Sequence, residues 1–109
     1  MQIDRAADYF QTIAGRHDPQ LAQVVGSWQI EIDGAGTWVI HVDHGALEVT
    51  AGPDARRTVR MRMAEDEFLA LVRGDRHENL MTALLRGAIR ELTGNLAFAT
   101  QLHALMPAT

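Results

Sequence analysis

The chain has 109 residues, a formal charge of -4, 47% hydrophobic residues and no cysteine. That length makes one domain with one modest core, and the acidic balance argues against nucleic acid, whose phosphates need a basic face. Without cysteine there is no disulfide, thiolate nucleophile or thiolate metal site, and because all ten basic residues are Arg there is no Schiff-base lysine. No apolar run approaches the ~18–20 residues of a membrane span, and no signal core follows Met1. A cytoplasmic protein without stable membrane insertion is expected.

Residues 4–14 predict a helix, because Ile3, Ala6, Ala7, Phe10 and Ile13 form one stripe that Gly15 ends. Asp18-Pro19 is a helix start, with Asp as the cap and Pro at the first position, and predicts a short helix over residues 20–25. Four alternating segments then fill residues 27–63. Trp28, Ile30 and Ile32 alternate with Gln29, Glu31 and Asp33. Trp38, Ile40 and Val42 follow, with Val39 softening the polar side. Leu47 and Val49 alternate with Glu48 and Thr50, and Val59, Met61 and Met63 with Thr58, Arg60 and Arg62. Such period-two patterning describes a sheet with one apolar and one wet face. Trp28, Ile30, Ile32, Trp38, Ile40, Val42, Val59 and Met61 should face the helices. Arg60 and Arg62 fall on the wet side, with Glu31 and Glu48 as cross-strand partners. Asp33-Gly34-Ala35-Gly36 and Asp43-His44-Gly45 read as hairpin turns.

After Met63 the period changes. Glu65, Asp66 and Glu67 place negative charge in the first turn of a helix carrying Phe68, Leu71 and Val72. Leu80, Met81, Leu84 and Leu85 form another stripe ending at Gly87. Ile89 suggests a strand over residues 88–93, Asn95 is a cap, and residues 96–106 predict a last helix carrying Phe98, Ala99, Leu102, Leu105 and Met106 before Pro107.

No motif for chemistry stands above this plan. His41 and Asp43 point one way on a strand while His44 sits at the turn, and no third ligand lies nearby to complete a zinc site, so no metal or other cofactor is expected. Ser27 lacks the Gly-x-Ser-x-Gly setting of a nucleophile elbow. Gly34-Ala35-Gly36 joins two strands, so no helix terminus is there to hold a phosphate. Gln101 and His103 flank the final apolar stripe, where surface exposure is the simpler reading.

The layout resembles the sterol carrier protein type-2 family of lipid-binding domains. The resemblance starts at Gly26-Ser27-Trp28 and rests on four features: the strand meander with Asp33-Gly34 at its first turn; Glu65-Asp66-Glu67-Phe68 and the leucine-rich run to Gly74; Leu84-Leu85-Arg86-Gly87; and Gly94-Asn95 before the last helix. Between Gly87 and Gly94 the chain is about one residue longer than the family pattern, which predicts a bulge. Ala64 stands where the family places a hydroxyl cap, so a cap worth about 1 kcal/mol is missing or supplied from elsewhere.

The resemblance implies an α+β two-layer fold: a five-stranded, mostly antiparallel sheet with helices packed on one face. It implies non-catalytic carriage of a fatty acyl chain, sterol or isoprenoid in a tunnel between sheet and helices. Trp38, Ile40, Leu84, Leu85, Phe98, Leu102, Leu105 and Met106 are the implied apolar lining. An empty pocket near ~300 Å³ would cost on the order of 7 kcal/mol at ~24 cal/mol per Å³, against a typical stability of ~5–15 kcal/mol. The alternative is therefore an assembly module with the same fold and a filled core. A homodimer or a partner enzyme stays open on sequence grounds.

Overall fold

The alternating segments become strands β1 (Val25–Asp33), β2 (Gly36–Asp43), β3 (Ala46–Ala51) and β4 (Val59–Ala64), joined by β5 (Ile89–Gly94). The structure is a computed structural model that describes residues 4–54, 56–75 and 80–105, at position 103 the backbone alone. The five strands form one sheet in the order β3-β2-β1-β4-β5. All neighbours are antiparallel except β1 and β4, which run parallel with Trp28 opposite Val59 and Ile30 opposite Met61. A parallel pair cannot be joined by a hairpin, so the chain crosses from β3 at one edge to β4 through residues 52–58.

The helices are α1 (Ala6–Ile13), α2 (Glu65–Arg73), α3 (Leu80–Leu85) and α4 (Leu96–Thr100), the last tightening into a 3-10 helix over Gln101–Leu105. They share a core with the apolar strand face. Trp28, Ile30, Ile32, Ile40, Val42, Val59 and Met61 are all buried there, with Trp38 half-buried against them. Phe10 of α1 stacks on Trp38 at 4.7 Å and on Phe68 at 5.3 Å, and Tyr9 meets Phe68 edge-on. At the other end Trp28 stacks on Phe98 at 4.6 Å and donates its indole N–H to the Phe98 carbonyl at 3.0 Å.

Local chemistry explains the boundaries. His44 (φ 51°) and Gly45 (φ 91°) both take positive φ in the two-residue turn between β2 and β3, the geometry that matches strand twist. Asp18 and Asn95 accept from Gln20 N at 2.9 Å and Phe98 N at 3.0 Å, as their cap assignments require. Ala64 gives α2 no side-chain cap; Asp66 Oδ1 accepts from Glu67 N at 2.9 Å instead. Glu65 reaches across to accept from Ala6 N at 3.1 Å, so the acidic start of α2 also caps α1.

Several sequence expectations need correction. The helix expected over residues 20–25 is a single 3-10 turn, Pro19–Leu21, because Val25 already pairs with Asp43 in β1. The outer sheet face is not uniformly wet: Ser27, Gln29 and Val39 are buried. The crossing segment bonds to two of them, Asp54 N donating to Gln29 Oε1 at 2.9 Å and Thr58 N to the Ser27 carbonyl at 3.0 Å. Arg60 pairs with Glu31 as expected, but Glu48 lies opposite His41 on β3; Arg62 pairs with Asp33 at 2.7 Å instead. The extra residue before Gly94 is a bulge: Arg62 faces Glu91 and Met63 faces Ile89, and the intervening Arg90 reaches Asp33 at 2.6 Å.

Candidate functional site

The loop after α1 builds a concavity. Gly15 N donates to the Leu47 carbonyl at 2.9 Å and Leu47 N to the Arg16 carbonyl at 2.8 Å, so the loop runs along the β3 edge like a short extra strand. Asp18 N then donates to the Gly45 carbonyl at 2.9 Å. This approach requires glycine at position 45, since a Cβ there would sit 2.7 Å from the Asp18 oxygen. The loop rims a half-open cleft of about 460 Å³. Its floor is Ile13 of α1, Leu47 of β3, Val72 of α2 and Ala104 and Leu105 of the C-terminal 3-10 helix. Its rim is Arg16, His17, Asp18, Pro19 and Gln20. Tyr9 fastens the far wall by donating its hydroxyl to the Leu105 carbonyl at 2.9 Å. Burial pushes the Tyr9 phenol above its ordinary range, so it remains a donor.

A smaller cleft of about 240 Å³ flanks α1 on its other side. Ala7, Gln11 and Ala14 lie along one line of the helix, as their spacing dictates. They face Val49 and Ala51 of β3, with Phe10 and Trp38 behind.

The implied lining residues do not form one wall. Leu105 lines the larger cleft and Trp38 the smaller. Ile40 and Leu102 lie in the packed core, 0% and 1% exposed. Phe98 is half-buried on Trp28, and Leu84 is half-buried against the core. Leu85 is 81% exposed and lines neither cleft; on the short α3 it is Leu80 and Ala83 that are buried, with Leu84 packed partly against the core. Met106 falls outside the described residues, as does the His103 side chain. Gln101 is exposed. Sequence reasoning placed Ile13 and Val72 in apolar stripes without assigning them to a site. It missed Leu47 as a wall, and the polar rim, a loop with no period to read.

The other polar clusters are occupied with structure. Ser27 Oγ accepts from Thr58 N at 3.3 Å. His41 Nε2 lies 3.1 Å from Thr50 Oγ1, and His44 Nδ1 2.7 Å from Asp43. Among the described residues no three His, Cys, Asp or Glu side chains gather as metal ligands. On the outer face the Arg60 guanidinium holds Glu31, and Arg62 holds Asp33, below the usual carboxylate range. What the cleft offers is a concavity in which aliphatic side chains from three helices and β3 meet the polar loop from Arg16 to Gln20.

Comparison with known proteins agrees with this geometry. The model of the SCP-2 sterol transfer family matches residues 9–107. No curated protein sequence matches the chain directly. Among solved structures, the crystal structure of Sterol Carrier Protein 2 Like 2 from Aedes aegypti is 26% identical, with a TM-score of 0.65 over 92% of this chain and 91% of that one. The solution structure of palmitated SCP2L2 from the same mosquito is 24% identical, with a TM-score of 0.71 over 91% of each chain. The stereoselective inverting sec-alkylsulfatase Pisa1 from Pseudomonas sp. shares the fold at a TM-score of 0.74 and 15% identity. That match covers 93% of this chain, which spans only 16% of the sulfatase's length.

Proposed function

We propose, from the premise that the chain belongs to the SCP-2 sterol transfer family, that it reversibly holds one apolar molecule of the fatty acyl class in the cleft between α1, β3, α2 and the C-terminal 3-10 helix, with no covalent step. The observation that carries this reading is the cleft itself. Its volume of about 460 Å³ lies within the ~300–1,000 Å³ of small-molecule sites. Its lining sets the aliphatic side chains of Ile13, Leu47, Val72 and Leu105 beside the polar loop from Arg16 to Gln20. The palmitated form of the Aedes aegypti relative favours an acyl chain over a rigid ring system. An assembly module is the second reading, favoured by the burial of Trp28, Ile40, Met61 and Leu102 at the centre of the described residues.

The test uses Leu105, which lines the cleft and is half-buried. Leu102, at 1% exposure, would test the fold instead. A charge at position 105 must be desolvated as ligand enters. Leu105→Asp should weaken binding of a fluorescent fatty acid at least about tenfold, equivalent to ~1.4 kcal/mol, with an unchanged circular dichroism spectrum. If the native protein binds no acyl, sterol or isoprenoid probe at micromolar concentration, the carrier reading falls and the assembly module replaces it.

A further inference from the structure

We infer that Leu47, with Ile13, is the partition that limits the length of chain this protein can hold, and that the smaller cleft beyond it is the space denied to the ligand's tail. The inference rests on the carrier reading above. Two observations place the partition. First, α1 lies antiparallel along β3: Gly15 after its end bonds to Leu47, Ala7 shares a cleft with Ala51, and Phe10 stacks on Trp38 of β2 opposite Ala51. Second, the two clefts take alternate members of the same two elements. Ile13 and Leu47 line the larger; Phe10, Ala14 and Val49 line the smaller. Leu47 and Val49 are two apart on a strand and share a face. Ile13 and Phe10 are one turn apart on a helix. The clefts are thus neighbouring positions along one helix-on-strand seam, with Ile13 and Leu47 facing the larger and Phe10 and Val49 the smaller. Ile13 and Leu47 are 2% and 4% exposed, so the partition is closed.

Two backbone bonds fix Leu47, to Gly15 and Arg16, so its side chain cannot swing aside by a shift of the strand edge. The smaller cleft has about half the volume of the larger and is the more apolar of the two, with Trp38, Val49 and Ala51 in its walls. A tail reaching it would leave water, and each methylene that does so is worth about fourfold in affinity. With the partition in place the gain must stop where the larger cleft is full.

The experiment is a length series of saturated acids, dodecanoic, hexadecanoic and docosanoic, titrated against the whole chain and two variants. In the native protein affinity should rise with length and then level off. In Leu47→Ala the docosanoic acid should gain at least about tenfold over the hexadecanoic acid, the effect of two or more further buried methylenes. Ala14→Leu fills the smaller cleft without touching the core. In the native background it should leave every acid unchanged, and in Leu47→Ala it should cancel the gain. An unmoved plateau in Leu47→Ala overturns the partition while leaving the carrier reading intact. So does a loss of long-chain binding in Ala14→Leu alone, which needs no truncated core and shows that the clefts are already joined. Failure of the native protein to bind any acid overturns both.

Discussion

At the scale of single residues, the carboxylate–guanidinium pairs of the outer sheet face set a pH response. Arg60 donates to both oxygens of Glu31, and Gln29 adds a further bond at 3.0 Å. The carboxyl is therefore easier to ionise in the folded chain than in the unfolded one. A depressed folded pKa contributes stability that is fully present above the ordinary carboxylate range and is lost as pH falls through the lowered value. Glu31→Gln should flatten the acid side of a melting-temperature-against-pH curve relative to the native protein; an unchanged acid limb would mean the pairing adds nothing. Tyr9 acts at a different place. Tyr9→Phe keeps the aromatic packing but removes the donor to the Leu105 carbonyl. It should lower stability by about 1 kcal/mol and speed release of bound acid in a stopped-flow chase, because one wall of the cleft is no longer fastened.

At the scale of elements, glycine marks where chains meet. Gly94 closes β5 with φ 112°, and a Cβ there would come within 2.5 Å of the Thr58 carbonyl and 2.9 Å of the Val59 Cα. Neither atom can yield without moving β4, so Gly94→Ala should cost about 2 kcal/mol or more in a urea titration; a silent substitution would show that the β4–β5 junction is slack. Most of the element plan was legible in the sequence. Alternation gave the strands because one face of each is buried, and the caps Asp18 and Asn95 gave helix starts. The lone Ile89 sufficed for β5 because the family pattern has a strand there. Register was not legible: nothing in Trp28 or Val59 alone says that β1 and β4 run parallel. The short helices were over-read because apolar residues at helical spacing do not say how long the helix is. Leu85 fits the stripe but lies at the end of a six-residue α3 that turns it outward. The cleft was least legible. Its floor is drawn from four elements, and its rim is the aperiodic loop from Arg16 to Gln20.

At the scale of the whole molecule, Trp28, Ile40, Met61 and Leu102 are packed at the centre, and the two described clefts lie open at its margin. That arrangement avoids the cost of a dry void, because an open cleft holds water when empty. Stability of the unliganded chain then does not depend on cargo, and ligand adds to it by mass action. Hexadecanoic acid at a hundred times its dissociation constant should stabilise the fold by about 2.7 kcal/mol, read as a rise in melting temperature that scales with ligand concentration. A chain that melts alike with and without excess acid would favour the assembly module. The hydrogen bond from Tyr9 to Leu105 spans 96 positions, so the cleft unites the first helix with the last turn. Contacts this remote in sequence tend to form late, after the local β1–β2–β3 meander has reduced the search. A chain stalled before that closure would own most of its sheet and none of its binding wall, and cargo would therefore load only onto chains that had finished folding.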